Sequence, residues 1–128
     1  MNGGMVRTIW VGVAGFVGAI ARYALGGFIS ARTNSAFPWE TLVINVSGCF
    51  ALGFIFTLLT ERFLPHTTLR VALTVGFLGA YTTFSTFAFE TMRLAQDGAA
   101  ALATINVVAS VGAGLLAVYA GTWLGRAL

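Results

Sequence analysis

The 128-residue chain is 58% hydrophobic and 9% charged, and its net charge of +3 comes entirely from arginine because it contains no lysine. Soluble domains are about 25% charged, so the composition excludes a soluble fold and predicts an all-α integral membrane protein. Seven scattered arginines do not form a nucleic-acid patch. We therefore expect no nucleic-acid partner, whereas an anionic lipid surface suits a modest basic excess.

Long stretches almost free of charge divide the chain into four parts. The windows 41–60, 71–89 and 98–125 carry no charge, and the window 8–31 carries only Arg22. A spanning helix needs about 20 residues, so each window predicts one transmembrane helix. We place span 1 near 6–31, span 2 near 39–62, span 3 near 68–93 and span 4 near 99–126. Short links make neighbouring helices antiparallel, so residues 1–128 are expected to form a single four-helix transmembrane domain.

Arg22 is the one charge inside a hydrophobic window, near the end of span 1. It could reach the interface with its side chain, or pair with Glu90 at the end of span 3. It could also attract anions to an entrance. Reaching the interface or forming an ion pair is the more ordinary use of such an arginine.

Span 2 begins at Pro38, a residue suited to a helix start, and carries Asn45 in its first half. A side-chain amide has two donor hydrogens and an acceptor oxygen. Asn45 could therefore make an interhelical hydrogen bond, or donate to a permeating anion or small polar solute. The single cysteine, Cys49, is interpreted as a small hydrophobic residue.

Span 3 contains an unusual group of hydroxyl residues. Thr82, Thr83, Ser85 and Thr86 surround Phe84 at membrane depth, where polar groups need a partner, a cavity or a broken backbone. Glycine and β-branched threonine lower helix propensity, so the segment 79–83 is predicted to break the helix. Its freed carbonyl oxygens would suit Na⁺ or another hard cation, or hydrogen bonds from neighbouring helices.

Two further patterns remain open to two interpretations each. Phe84 and Phe87 share a helix face and could present positive ring edges to an anion, or pack as ordinary core residues. In span 4, Asn106, Ser110 and Gly114 are four residues apart and share a face. They could form a polar track for an ion or a seam for helix packing.

Arginine placement gives only a weak preference for one membrane orientation. Arg7, Arg62, Arg70 and Arg126 lie on the side of both termini, against Arg32 and Arg93 opposite, with Arg22 near them. Orientation follows this imbalance, so the chain could be a plain termini-inside protein or an antiparallel homodimer with dual topology. Small residues that allow close helix contact are common in the spans. They are Gly12, Gly15, Gly18, Gly48, Gly53, Gly112 and Gly114.

The sequence shows no catalytic pattern, because its four acidic residues lie near span ends and His66 stands alone in a loop. We therefore do not expect an enzyme. A proton-coupled multidrug exporter would need a carboxylate within the membrane, and a lipid kinase would need clustered acids for metal-phosphate chemistry. A structural subunit would explain helix packing but not the hydroxyl-rich segment together with Asn45.

The chain resembles the Fluc (CrcB) family of fluoride channels over nearly its whole length. The resemblance rests on residues 18–23 (GAIARY), 45–48 (NVSG), 76–79 (GFLG) and 82–87 (TTFSTF). It implies an antiparallel, dual-topology homodimer in the bacterial inner membrane that exports fluoride passively through two pores. It also implies a structural Na⁺ at the dimer centre.

The resemblance assigns roles to individual residues. Asn45, the ring edges of Phe84 and Phe87, and the Ser110 hydroxyl would line the pore, and Thr41 and Thr83 are placed with them. Backbone carbonyls of Gly79 and Thr82 would bind Na⁺, and Arg22 would match the arginine of span 1. Asn106 stands where some relatives carry tyrosine, and Gly114 where some carry serine.

Overall fold

The computed structural model describes residues 2–63 and 65–128, and within them every regular element is helical. Four helical stretches are long and apolar enough to cross a membrane, which confirms the four predicted spans to within a few residues. They are Gly3–Ser30, Trp39–Arg62, Thr67–Gln96 and Ala100–Ala127. The chain is therefore a multi-pass membrane protein. Of the predicted link 63–67, residue 64 lies outside the described residues.

Spans 1 and 4 are single helices, whereas spans 2 and 3 are composite. Span 1 is α1 (Gly3–Ser30), and span 4 is α6 (Ala100–Ala127). Span 2 consists of α2 (Trp39–Thr57) and a π-helical end, Leu58–Arg62. Span 3 is assembled in order from α3 (Thr67–Val71), a π-helical segment (Ala72–Phe77), α4 (Leu78–Tyr81) and α5 (Phe84–Gln96).

The backbone between α4 and α5 is extended at two residues. Thr82 has φ −84° and ψ 157°, and Thr83 has φ −148° and ψ 112°. Both residues are β-branched and carry hydroxyls that compete for backbone hydrogen bonds, which disfavours a continuous helix. Gly79 itself stays within α4. The interruption frees backbone groups at membrane depth, and these need partners that lipid cannot supply.

Close packing joins the spans in two pairs, span 2 with span 4 and span 1 with span 3. A Cβ on Gly18 would overlap the carbonyl oxygen of Phe77, and one on Gly121 would overlap that of Phe50. These glycines therefore let two backbones approach, as predicted for Gly18. A Cβ added to Gly12 or to Gly112 would meet no atom within 4 Å, so neither glycine makes such a contact within the protomer.

The outer surface is strongly apolar, as expected for a protein surrounded by lipid. Large side chains such as Phe16, Val108, Leu115 and Leu116 are mostly exposed. At one end of the bundle, Arg126 forms a salt bridge of 3.1 Å with Glu61. This pair ties the ends of spans 2 and 4 together.

Candidate functional site

A cavity of about 320 Å³ opens between spans 2, 3 and 4 beside the extended residues. None of the residues that line it is charged, so its polarity comes from an amide, hydroxyls and backbone groups. The lining residues are Asn45, Gly48, Cys49, Leu52, Thr74, Leu78, Gly79, Thr82, Thr83, Phe84, Phe87, Ser110 and Val111. The structure thus brings together seven of the nine predicted site residues.

Asn45 holds the interrupted backbone of span 3. Its Nδ2 donates to the carbonyl oxygen of Thr83 at 2.9 Å, and its Oδ1 accepts from the backbone N–H of Thr83 at 2.7 Å. Thr83 is only 8% exposed, so these two bonds satisfy groups that water cannot easily reach. An amide has two N–H hydrogens, which leaves one of them for another acceptor.

The Thr83 hydroxyl caps α5. It accepts from the backbone N–H of Thr86 at 3.3 Å and lies 2.9 Å from the Thr86 hydroxyl and 3.4 Å from the Ser85 hydroxyl. A threonine in this position stabilises the first turn of a helix. The cluster of hydroxyl-bearing residues that stands out in the sequence therefore serves in part to cap α5. Its central residue, Thr83, also lines the cavity.

The two phenylalanines lie side by side at the cavity. Their ring centroids are 5.6 Å apart and their planes are inclined by 52°. Phe87 is half-buried, whereas Phe84 is 78% exposed. A ring edge carries partial positive charge, so tilted rings can direct an edge toward an anion. Phe84 has little of this chain packed around it.

Gly79 and Thr82 contribute backbone oxygens near the interruption. Among the described residues, no hydrogen bond reaches the carbonyl oxygen of either one. The Thr82 backbone N–H and hydroxyl both bond to the Leu78 carbonyl, at 3.0 and 2.9 Å. Gly79 is exposed. Unpaired carbonyl oxygens at membrane depth need an external partner, and they are ligands that hard cations bind.

The predicted polar row of span 4 is divided by the structure. Ser110 lines the cavity, but Asn106 is only 1% exposed and does not line it. Asn106 donates from Nδ2 to the Thr91 hydroxyl oxygen at 2.8 Å, and its Oδ1 accepts from the Ser110 hydroxyl at 3.4 Å. Gly114 is buried near Cys49. A row on one helix face therefore serves packing at two positions and the cavity at one.

Thr41 and Arg22 lie apart from this cavity. Both line a second cavity of about 530 Å³, which Thr83 and Glu90 also line. The Thr41 hydroxyl donates to Glu90 Oε1 at 3.0 Å, while Oε2 is buried without a hydrogen-bond partner among the described residues. In residues 2–63 and 65–128, the one salt bridge is Arg126–Glu61. The suggested pairing of Arg22 with Glu90 is therefore wrong for this protomer.

Sequence reasoning missed two contributions to the site. Cys49, predicted to be a plain small hydrophobic residue, lines the cavity. Thr91 carries the hydrogen bond from Asn106 and itself donates to the Phe87 carbonyl at 2.7 Å. The spacing of four residues between Phe87 and Thr91 is the signal that could have indicated this second bond.

Comparison with known proteins gives consistent matches over nearly the whole chain. Residues 9–122 match the family model described as CrcB-like protein, Camphor Resistance (CrcB). A protein from Solibacter usitatus named fluoride-specific ion channel FluC is 46% identical over 121 residues, which are 94% of this chain and 99% of that protein. Proteins of the same name from Magnetococcus marinus and Geobacter sulfurreducens are each 44% identical, over 94% and 97% of this chain and 98% and 100% of their own.

Proposed function

This chain belongs to the CrcB family, and on that premise we propose that it is a fluoride-specific channel through which the ion leaves the cytoplasm passively. The names of its relatives support fluoride as the ion. Membership in this family also means that the chain is not an enzyme, and it removes the exporter and kinase alternatives. Passive export lowers fluoride toxicity because the ion enters cells as the neutral acid and dissociates at cytoplasmic pH.

The observation that carries the proposal is the uncharged cavity, whose mostly apolar wall carries a few neutral polar groups. Fluoride is small, and removing its water would cost many kcal/mol unless other dipoles replaced that shell. A fixed acid would repel the ion, and a fixed base would hold it too tightly to conduct. The cavity lining contains neither. It offers instead neutral donors of the kind that conduction requires.

Asn45 is the proposed first donor to fluoride. One of its amide hydrogens is used by the Thr83 carbonyl, and the second is available to the ion. Because Oδ1 accepts from the Thr83 backbone N–H, the amide cannot exchange its two ends without placing two donors face to face. The N–H therefore keeps a fixed direction, and Ser110 and Thr83 would supply hydroxyls alongside it. In the second cavity the Thr41 hydroxyl already donates to Glu90, so Thr41 could serve the ion only by giving up that bond, while Arg22 could attract anions there.

We propose that a second protomer completes the pore. Phe84 is largely exposed in the single chain, and an exposed ring offers no enclosed path for an ion. A partner packed against this face would enclose the ring edges of Phe84 and Phe87. The weak arginine asymmetry allows both orientations, so the arrangement proposed is an antiparallel homodimer with two pores in the bacterial inner membrane.

The backbone near the interruption fits the structural Na⁺ that the family resemblance implies. The carbonyls of Gly79 and Thr82 have no hydrogen-bond donor among the described residues, and a hard cation binds such oxygens. Two protomers meeting at this face would together provide four of them. The ion would supply positive charge and hold the two interruptions together.

Reconstitution in liposomes tests the proposed function. Purified protein is incorporated, the vesicles are loaded with fluoride, and efflux is read with a fluoride electrode while chloride efflux is measured in parallel. Rapid fluoride release with little chloride release is the expected result. A folded protein that releases no more fluoride than empty vesicles would contradict the proposal.

A further inference from the structure

Asn106 has the most completely buried large side chain among the described residues, with 1% exposure. It lies in span 4 and makes no contribution to the cavity lining. A buried amide in a membrane protein needs partners for both of its ends. Asn106 finds one partner on span 3 and the other one turn further along span 4, at Ser110. It therefore connects the cavity serine to the helix that carries Phe87.

The direction of each hydrogen bond that joins Thr91, Asn106 and Ser110 can be assigned. Thr91 donates its only hydroxyl hydrogen to the Phe87 carbonyl, so toward Asn106 its oxygen can only accept. The amide must therefore present Nδ2 to Thr91, at 2.8 Å. This leaves Oδ1 facing Ser110, and an oxygen that only accepts requires Ser110 to donate.

From this geometry we propose that Asn106 is a positioning residue that controls how strongly Ser110 donates to an anion in the cavity. A serine hydroxyl has one hydrogen, so Ser110 cannot bond to Asn106 Oδ1 and to an anion with it at once. The 3.4 Å separation is long for an O–H···O bond, so the hydrogen is held weakly. An arriving anion replaces Oδ1 as the acceptor of the Ser110 hydrogen bond, and Ser110 donates to Oδ1 again when the anion leaves. The inference rests on the proposed function, because fluoride is the anion that would compete.

This competition keeps the ion from binding too tightly. Conduction needs binding strong enough for entry and weak enough for release. Each time Ser110 turns to the ion, Oδ1 loses its partner inside the protein, which opposes the bond to the ion. Removing Oδ1 should therefore strengthen fluoride binding at Ser110, even though Asn106 does not line the cavity.

Two substitutions release the Ser110 hydrogen by different routes. Asn106→Leu replaces the amide with an apolar side chain of similar shape and leaves the Thr91–Phe87 bond in place. Thr91→Val removes the acceptor that fixes the amide direction, so Nδ2 can turn toward Ser110 and make the serine accept. Both should lower the fluoride concentration at half-maximal efflux by about 2- to 5-fold, the effect of one weak hydrogen bond.

The experiment measures initial fluoride efflux from liposomes over a range of internal fluoride concentrations. Wild type, Asn106→Leu and Thr91→Val are compared, each with and without Ser110→Ala. Thr104→Val is the matched control, since Thr104 is an exposed residue of span 4 whose hydroxyl bonds only to the Ala100 carbonyl. The elution volume in gel filtration verifies that each variant folds. If Asn106→Leu does not fold, Thr91→Val with its Ser110→Ala partner is sufficient.

The expected result is a lower half-maximal concentration in both single variants and no such shift in the Ser110→Ala background. A shift that persists without the Ser110 hydroxyl, or a fall in maximal rate alone, would overturn the proposal and leave Asn106 a packing residue. Wild-type protein that releases no fluoride would instead contradict the channel function itself, so the two failures are distinguishable.

Discussion

Replacement of Asn45 tests the structural and conducting roles of one side chain together. Asn45→Leu removes both hydrogen bonds to Thr83 and leaves a buried N–H and C=O without partners. Two orphaned groups at about 2 kcal/mol each give roughly 4 kcal/mol. Twice the roughly 0.6 kcal/mol per hydrogen bond found in a membrane protein gives about 1 kcal/mol. We therefore expect a loss of stability of about 1–4 kcal/mol.

Asn45→Asp separates the two roles. The carboxylate keeps an acceptor for the Thr83 N–H, but it cannot donate to the Thr83 carbonyl or to an anion. Because the buried charge and its contact with the Thr83 carbonyl oxygen are both unfavourable, its stability should lie below that of wild type. Fluoride efflux should fall about tenfold or more in both variants, since a hydrogen bond to a charged group contributes about 1.5–3 kcal/mol.

The assay combines thermal unfolding in detergent with fluoride efflux from liposomes. Thr60→Val is the matched control in span 2, because the Thr60 hydroxyl bonds only to the Phe56 carbonyl in its own helix. It should change neither readout substantially. A folded Asn45→Asp protein with wild-type efflux would refute the donor role. An Asn45→Leu protein as stable as wild type would refute the assignment of Asn45 as the partner of the interrupted backbone.

Three further predictions follow from the same structure. Phe84→Ile and Phe87→Ile remove the ring edges. Each should slow fluoride efflux about tenfold, because each loses one charge-assisted contact with the ion. Phe84→Ile should leave thermal stability nearly unchanged because Phe84 is 78% exposed, and unchanged efflux in both variants would assign the rings to packing. Gly18→Ala should destabilise the protein by about 1–3 kcal/mol, since its Cβ would overlap the Phe77 carbonyl oxygen. Gly12→Ala should not, because its Cβ would meet no atom within 4 Å. Equal melting temperatures for the two variants would contradict the close contact at Gly18. Exhaustive replacement of Na⁺ by N-methylglucamine should slow efflux or dissociate the dimer, reversibly on adding Na⁺, and an intact, conducting dimer after dialysis would argue against the cation site.

The spans could be predicted from the sequence because charge is so costly in lipid. The uncharged windows located all four helices, and the largest differences are a start of span 1 at Gly3 instead of 6 and an end of span 3 at Gln96 instead of 93. Helix contacts were less predictable. Gly18 and Gly12 look alike in the sequence, yet only Gly18 meets another backbone, because contact depends on how each helix is rotated.

Which residues line the cavity was largely predictable, whereas their hydrogen bonds were not. The family resemblance placed Asn45, Phe87 and Ser110 in one site, and all three line one cavity. The pairing of Asn45 with Thr83 joins residues 38 positions apart, and no local pattern encodes such a distance. Asn106 shows the same limit, since a period of four residues identifies a helix face but not the helix that covers it.

In the proposed channel, the Asn45–Thr83 pair would link stability to conduction and so constrain the whole site. An interrupted helix frees backbone groups that lipid cannot satisfy, and a side chain from another span supplies the partners of the Thr83 N–H and C=O. A side-chain amide does this with one donor and one acceptor and still keeps a hydrogen for an ion. A hydroxyl has one hydrogen and could not serve both purposes, while a charged side chain would repel or trap an anion. Among neutral polar side chains, an amide thus meets both requirements at this position.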